Sequence, residues 1–145
     1  MSRNVTNIEE QLILDEGKKA SAYQDKLGFW TIGIGTCIDA RLGCGLTDEE
    51  QLYLLRNRVA ARILAINQQW PWTVELDEVR MGVLVNMSYQ MGVHGLADFK
   101  HFLAAMQQRD FAAAKTAMLD STWAKTQDSP RAERLALQVE TGIWQ

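Results

Sequence analysis

The run from Leu14 to Thr36 reads LDEGKKASAYQDKLGFWTIGIGT. A helix-like segment ends at Asp15-Glu16-Gly17, and two β-prone runs follow, Ala20 to Gln24 and Phe29 to Ile34, joined by Asp25-Lys26-Leu27-Gly28. Branched and aromatic residues flanking a glycine-bearing turn are a hairpin signature. This reading puts Glu16 at a helix end, Asp25 in the hairpin turn and Thr31 on the returning strand, closed by Gly33-Ile34-Gly35.

Two carboxyls and a hydroxyl from different elements can support hydrolysis of a glycosidic bond. One acid protonates the leaving oxygen, and the other carboxylate positions water or attacks as nucleophile. Gly17 is the natural left-handed residue past a helix end, so Glu16 falls in the last turn, where the macrodipole is negative. Leu12, Ile13 and Tyr23 are apolar neighbours expected to add desolvation. Both effects disfavour a carboxylate and keep a proton on Glu16.

Working outward, Thr6-x-x-Glu9 is a capping-box pattern, with Ile8, Leu12 and Ile13 as the apolar face of the first helix. After the hairpin comes a Gly-rich loop holding Cys37 and Cys44. Thr47-x-x-Glu50 is a second capping box, and Leu52, Leu55, Val59, Ile63 and Ile66 recur at helical spacing toward Gln69. Arg56, Arg58 and Arg62 lie mostly off that stripe and read as a solvated face. Trp70-Pro71-Trp72 ends the helix. Asp77 is the expected cap of a third helix containing Val79, Val83, Leu84 and Met87, with Gly92 as its stop. Helices are then expected from Leu96 to Gln107, from Phe111 to Leu119, and from a Ser129-Pro130 start through Val139. The fold class is α+β and mostly helical, with one small sheet near the N-terminus.

The chain has 145 residues, enough for one domain with a core of its own. An apolar fraction of 47% and a charged fraction of 23% are those of a globular protein. A net charge of −3 argues against nonspecific nucleic-acid binding, and any attraction to an acidic polymer must come from local patches such as Lys18, Lys19 and Lys26. The start, MSRNVTNIEEQ, is polar and has no apolar signal core, and no run approaches a membrane span. The expected place of synthesis is the cytoplasm. There Cys37 and Cys44 are two reduced thiols; in an oxidising compartment a loop disulfide becomes available. Their spacing is no zinc motif and His94 and His101 are distant, so neither metal nor cofactor is expected.

The stretch Asp15-Glu16-Gly17, Tyr23, Asp25, Gly28 and Thr31-Ile32-Gly33-Ile34-Gly35 resembles the catalytic segment of the phage-type (T4-like) lysozymes, the family 24 glycoside hydrolases. The likeness resumes at Leu76-Asp77-x-Val79-Arg80, Asn86-Met87-x-x-Gln90-Met91-Gly92, Trp123, Pro130-x-Ala132 and Thr141-Gly142-x-Trp144. Several motifs in order are far more specific than any one alone. The resemblance implies a lysozyme-like two-lobed fold: a small lobe over about 14–46, a connecting helix over about 47–70, and a helical lobe over about 71–145 that includes the N-terminal helix. Substrate would lie in the cleft between lobes.

It also implies roles. Glu16 would be the general acid, while Asp25 and Thr31 hold the attacking water. Gly35 would line the cleft with its backbone. Tyr89 would pack on a sugar ring or in the core. Asn86 and Gln90, four apart on one helical face, would tie the lobes by hydrogen bonds, and Trp123 would belong to the core. Arg131 matches the family arginine that pairs with the catalytic glutamate. Thr36 stands where members often have histidine, and Leu27 where a related lysozyme is acidic. The segment between Trp123 and Pro130 is longer than the closest pattern, so substrate contacts are not carried over there.

The implied activity is that of an endolysin cleaving the β-1,4 bond between N-acetylmuramic acid and N-acetylglucosamine in peptidoglycan, acting as a monomer and reaching the wall with the help of a holin. Its partners would be glycan strands, not nucleic acid, with no membrane anchor. The rivals are a chitinase-like hydrolase on the same fold, an inert wall-binding or morphogenetic protein, and a lytic transglycosylase. The last needs one acid only, and Asp25 with Thr31 counts against it.

Overall fold

The computed structural model describes residues 5–145. Residues 1–4, the start of the polar N-terminal segment, lie outside the described residues. The fold is α+β and mostly helical, and the chain divides into two compact units, one up to Leu54 and one from Leu55 to Gln145.

The first unit opens with α1, Ile8–Glu16. Its cap is Asn7, one residue later than the Thr6 expected, and Asn7 Oδ1 accepts the Glu10 N–H at 2.9 Å. The reciprocal acid is likewise Glu10 in place of Glu9. Its carboxylate accepts the Thr6 N–H and hydroxyl, which hold it below the usual glutamate range. Neighbouring Thr and Asn can each cap, and side-chain reach decides between them. Gly17 ends α1 with φ 78° and ψ 178°, a glycine conformation but not the left-handed helical one expected.

The hairpin follows as β1, Lys19–Gln24, and β2, Trp30–Gly33. A third strand that the spacing did not announce, β3, Thr36–Cys37, completes an antiparallel sheet in the order β1-β2-β3. In this register Tyr23 pairs with Thr31, and Thr31 with Cys37, so these three share a row and a face; a bulge lies between Lys19 and Tyr23. The Cys37–Cys44 disulfide is closed.

Helix α2, Asp48–Gln69, starts on the expected box: Glu50 N–H donates to Thr47 Oγ1 and Thr47 N–H to the Glu50 carboxylate. The division between units falls within it. Of its apolar stripe, Ile66 is fully buried and Val59 and Ile63 pack on the core, whereas Leu52 and Leu55 stay exposed.

Within the second unit, a 3-10 helix over Pro71–Glu75 leads to α3, Glu78–Leu96. Gly92 interrupts α3 with φ 77° and ψ 163°, the stop read from the sequence, but the chain re-enters a helical turn to Leu96. Helix α4 runs Lys100–Gln107, starting four residues later than expected; Asp98 and Phe99 bond back to Gly95 and Leu96 in a turn instead. Helix α5, Phe111–Leu119, falls as read. A π-helical turn, Trp123–Gln127, precedes α6, Ser129–Thr141, whose cap is Asp128, not Ser129. The Asp128 carboxylate takes the Arg131 N–H, leaving Pro130 in the first turn, where its missing N–H costs nothing.

The core centres on α3. Val83, Leu84 and Met87 are fully buried against Phe102, Met106, Met118 and Val139. Each such side chain contributes about 1.5–3 kcal/mol on leaving water. Arg80 fastens the start of α3 to the end of α6: its guanidinium donates to the carbonyls of Val139 and Glu140, pairs with Asp77 at 3.1 Å and stacks 3.5 Å above the Phe111 ring.

Asp77 caps α3 by accepting the Arg80 N–H. Partial burial works against its charge, yet the Arg80 N–H and guanidinium prevail and hold the carboxyl below the usual aspartate range. A carboxyl lowered in the folded state stabilises above the unfolded value and ceases to as pH falls through the folded one. Asp77→Asn keeps a cap and loses the pair. Being partly exposed, the pair should contribute about 0.5–1 kcal/mol, and the gap in melting temperature between variant and wild type should close as pH drops below the aspartate range. Thermal melts at neutral and strongly acid pH check it; a gap that persists in acid refutes it.

Candidate active site

Glu16 is the last residue of α1 and sits against the β2–β3 turn. A Cβ built on Gly35 would lie 2.7 Å from Glu16 Oε2, and only glycine accepts the φ of 68° there without strain. The desolvation expected of Leu12 and Ile13 is not supplied within this unit, because they are 48% and 38% exposed and Glu16 is exposed too.

Asp25 opens the hairpin turn and is half-buried. Its Oδ1 accepts the N–H groups of Leu27 and Phe29, each at 2.9 Å, while its own N–H donates to Phe29 O at 2.9 Å. This is an Asx-type turn, closed by Gly28 N–H on Asp25 O with Gly28 at φ 85°. One carboxylate oxygen is thus committed to holding the turn. Thr31 is 4% exposed, and its hydroxyl donates to Phe29 O at 3.1 Å, which leaves the oxygen lone pairs as acceptors. The Phe29 backbone therefore binds both Asp25 and Thr31, the first through its N–H and the second through its carbonyl. Lys19 Nζ lies 4.0 Å above the Tyr23 ring, in the row that includes Thr31.

The remaining candidates belong to the second unit. Asn86, Tyr89, Gln90 and Arg131 line a cavity of about 440 Å³ with Leu55, Val59, Gly82 and Val85. Tyr89 is half-exposed, with the Arg62 guanidinium 5.6 Å from its ring centroid. Gln90 Oε1 accepts from Trp123 Nε1 at 3.0 Å and from Arg131 Nη1 at 2.9 Å. Arg131 Nε also lies 3.4 Å from Asp128 Oδ2. Trp123 is a core residue, 4% exposed and edge-on to Phe99. The Gln90 amide thus fixes a buried indole and an arginine on neighbouring helices of one unit.

A family model described as phage lysozyme matches residues 14–136, a span that takes in Glu16, Asp25, Thr31 and every candidate of the second unit. The chain belongs to the phage lysozyme family. It is accordingly a lysozyme-like peptidoglycan hydrolase, a glycoside hydrolase. Similar proteins include probable T4-type lysozymes 1 and 2 of Dictyostelium discoideum. Each is 28% identical, over 95% of this chain and 96% of the relative. The pre-baseplate central spike protein Gp5 of Enterobacteria phage T4 is 30% identical over 94% of this chain, which spans 28% of that protein. Among the described residues no helix is long and apolar enough to cross a membrane.

The Phe29 backbone was not among the residues read from the sequence as part of the site. The signal was present in Asp25-x-x-Gly28, since Asp opening a glycine-closed turn bonds to N–H groups ahead of it.

In this lysozyme Gly35→Ala should cost about 1–2 kcal/mol for the left-handed backbone. The new methyl would also turn the Glu16 carboxyl aside, the flexible partner in the contact. A displacement near 1 Å lowers turnover by about 10²-fold. Melting curves and turnover measured together check this; an alanine variant as active as wild type would refute the Glu16–Gly35 contact.

Proposed function

We propose that the protein is an endolysin that hydrolyses the β-1,4 bond between N-acetylmuramic acid and N-acetylglucosamine, leading to lysis of the host cell. Glu16 protonates the leaving glycosidic oxygen. The second Asp25 oxygen takes a proton from water, whose other hydrogen is held by the Thr31 oxygen. That water attacks the anomeric carbon from the face opposite the leaving group, which inverts its configuration and leaves a reducing end. The observation that carries this reading is the joint anchoring of Asp25 Oδ1 on the Phe29 N–H and of the Thr31 hydroxyl on the Phe29 carbonyl. With Oδ1 committed to the turn, Oδ2 and the Thr31 lone pairs are the acceptors left for a water.

Gly35 presents backbone to the sugar beside Glu16, and Tyr89 offers a ring face to the glycan. Asn86, Gln90 and Arg131 are supporting residues, Gln90 holding Arg131 in place. The enzyme acts as a monomer and reaches the wall through a lesion made by a separate holin. The likeness to Gp5 favours a second setting for the same chemistry, a wall-cutting module of a phage particle.

Mass spectrometry of muropeptides released from purified sacculi tests the reaction. New reducing ends at N-acetylmuramic acid are expected, with no cleavage of chitin oligomers. Anhydro products would indicate a transglycosylase, and binding without release an inert wall protein. Expression in the host with and without a holin tests the lytic role.

A further inference from the structure

We propose that the Cys37–Cys44 disulfide is a redox-operated clamp on the water-holding half of the site, with Arg41 as the positioning residue that transmits its state. The proposal rests on the reading of Asp25 and Thr31 given above. Those two residues both bond to the Phe29 backbone, so whatever holds Phe29 holds both. The Phe29 ring is covered by the Arg41 guanidinium, 3.1 Å from its centroid. The stack alone holds an exposed arginine only weakly, because the attraction of a cation to a ring is small in water and ordering the long side chain is entropically costly. What keeps it is the disulfide: Arg41 Nε lies 3.4 Å from Cys44 Sγ and Nη2 3.8 Å from Cys37 Sγ.

A second route runs through the sheet. Cys37 pairs directly opposite Thr31 on β3, a strand of only two residues. So short an edge strand does not hold itself. It is continued by Ile38 N–H on Trp30 O and by Asp39, whose carboxylate takes the Trp30 N–H. Gly45 N–H closes the loop onto Cys37 O. The disulfide thus bounds both the strand that flanks Thr31 and the loop that carries Arg41.

A dithiol reductant opens the clamp. Its thiolate attacks one sulfur to form a mixed disulfide, and its second sulfur then displaces the protein thiol. Two electrons and two protons pass to Cys37 and Cys44, and the reductant leaves as its own disulfide. The loop then gains freedom, Arg41 loses its anchor, and Asp25 and Thr31 lose a fixed partner. Water attack slows while the rest of the glycan site is untouched. In a reducing cytoplasm the enzyme is held at a low rate, and in an oxidising compartment outside it runs at its full rate.

The test measures kcat and KM of the purified protein on sacculi, oxidised, reduced with dithiothreitol, and reoxidised with oxidised glutathione. Amide hydrogen exchange at Leu27, Phe29, Leu84 and Met87 is followed in each state. On reduction, kcat should fall about tenfold or more with KM within about twofold, and reoxidation should restore it. Exchange should quicken at Leu27 and Phe29 but not at Leu84 and Met87, a pattern that a general loss of stability would not give. Cys37→Ser with Cys44→Ser should run at the reduced rate and ignore the reductant. Arg41→Ala should lower kcat with the disulfide intact, and Arg41→Lys should recover part of it. An unchanged kcat in the reversibly reduced wild type, or unchanged exchange at Leu27 and Phe29, overturns the clamp while leaving the hydrolase reading in place. Oxidised protein that releases no muropeptides removes the hydrolase reading itself, and the clamp with it.

Discussion

Glu16→Gln should abolish hydrolysis of sacculi almost completely while leaving the fold intact. Glutamine has the shape of glutamic acid and can still lie against Gly35, where a Cβ would sit 2.7 Å from the carboxyl. It has no proton to give to the leaving oxygen. General acid catalysis is worth about 10²–10⁴-fold, so turnover should drop at least into that range. Stability should move the other way. Glu16 ends α1, where the helix presents partial negative charge, and removing a like-signed carboxylate from an exposed terminus gains about 0.3–1 kcal/mol at low salt. A variant with turnover within a few-fold of wild type would remove Glu16 from the acid's role. A variant that melts well below wild type would mean that the side chain holds the turn as well as doing chemistry.

How far the sequence could be read depended on how local each cause was. The hairpin was legible because its turn, Asp25 to Gly28, and its branched and aromatic runs are adjacent. Strand β3 was not, since two residues carry no alternation, and Thr36–Cys37 becomes a strand only by pairing with Thr31 and Ile32. Cap positions slipped by one at Asn7 and Asp128, where two capping residues stand side by side and reach chooses between them. The stop at Gly92 was legible from the missing Cβ, but the helical turn beyond it was not. The π-helical turn at Trp123 answers to two distant demands at once, a buried ring and an indole N–H donated to Gln90. For the site, residue types and spacing suggested a pair of carboxyls and a hydroxyl, and the resemblance assigned their roles. Neither revealed that the backbone of Phe29 binds Asp25 and Thr31 together, because backbone N–H and carbonyl groups have no letter in the sequence.

On the proposed mechanism Asp25 has two functions, one per oxygen, and they can be separated. Asp25→Asn keeps an acceptor at Oδ1, so the Leu27 and Phe29 N–H groups remain bonded and the turn survives. The other oxygen becomes an NH₂ group, which donates where a water's proton must be accepted. Turnover should fall by about 10²–10⁴-fold, with the melting temperature close to wild type. Asp25→Ala removes both functions. It strands two N–H groups at a half-buried turn, and hydrogen bonds to a charged acceptor are worth about 1.5–3 kcal/mol each when fully formed. Exposure of the turn discounts that, leaving an expected cost of about 2 kcal/mol. Alanine should therefore match asparagine in lost turnover and exceed it in lost stability. Thr31→Val separates the partner in the same way: it keeps the branched shape in a buried row and deletes the hydroxyl. Turnover on sacculi beside thermal melts of the three variants decides. If asparagine retains turnover, Asp25 is a turn residue alone and the water must be held elsewhere. If asparagine melts as low as alanine, Oδ1 is not the oxygen that holds the turn.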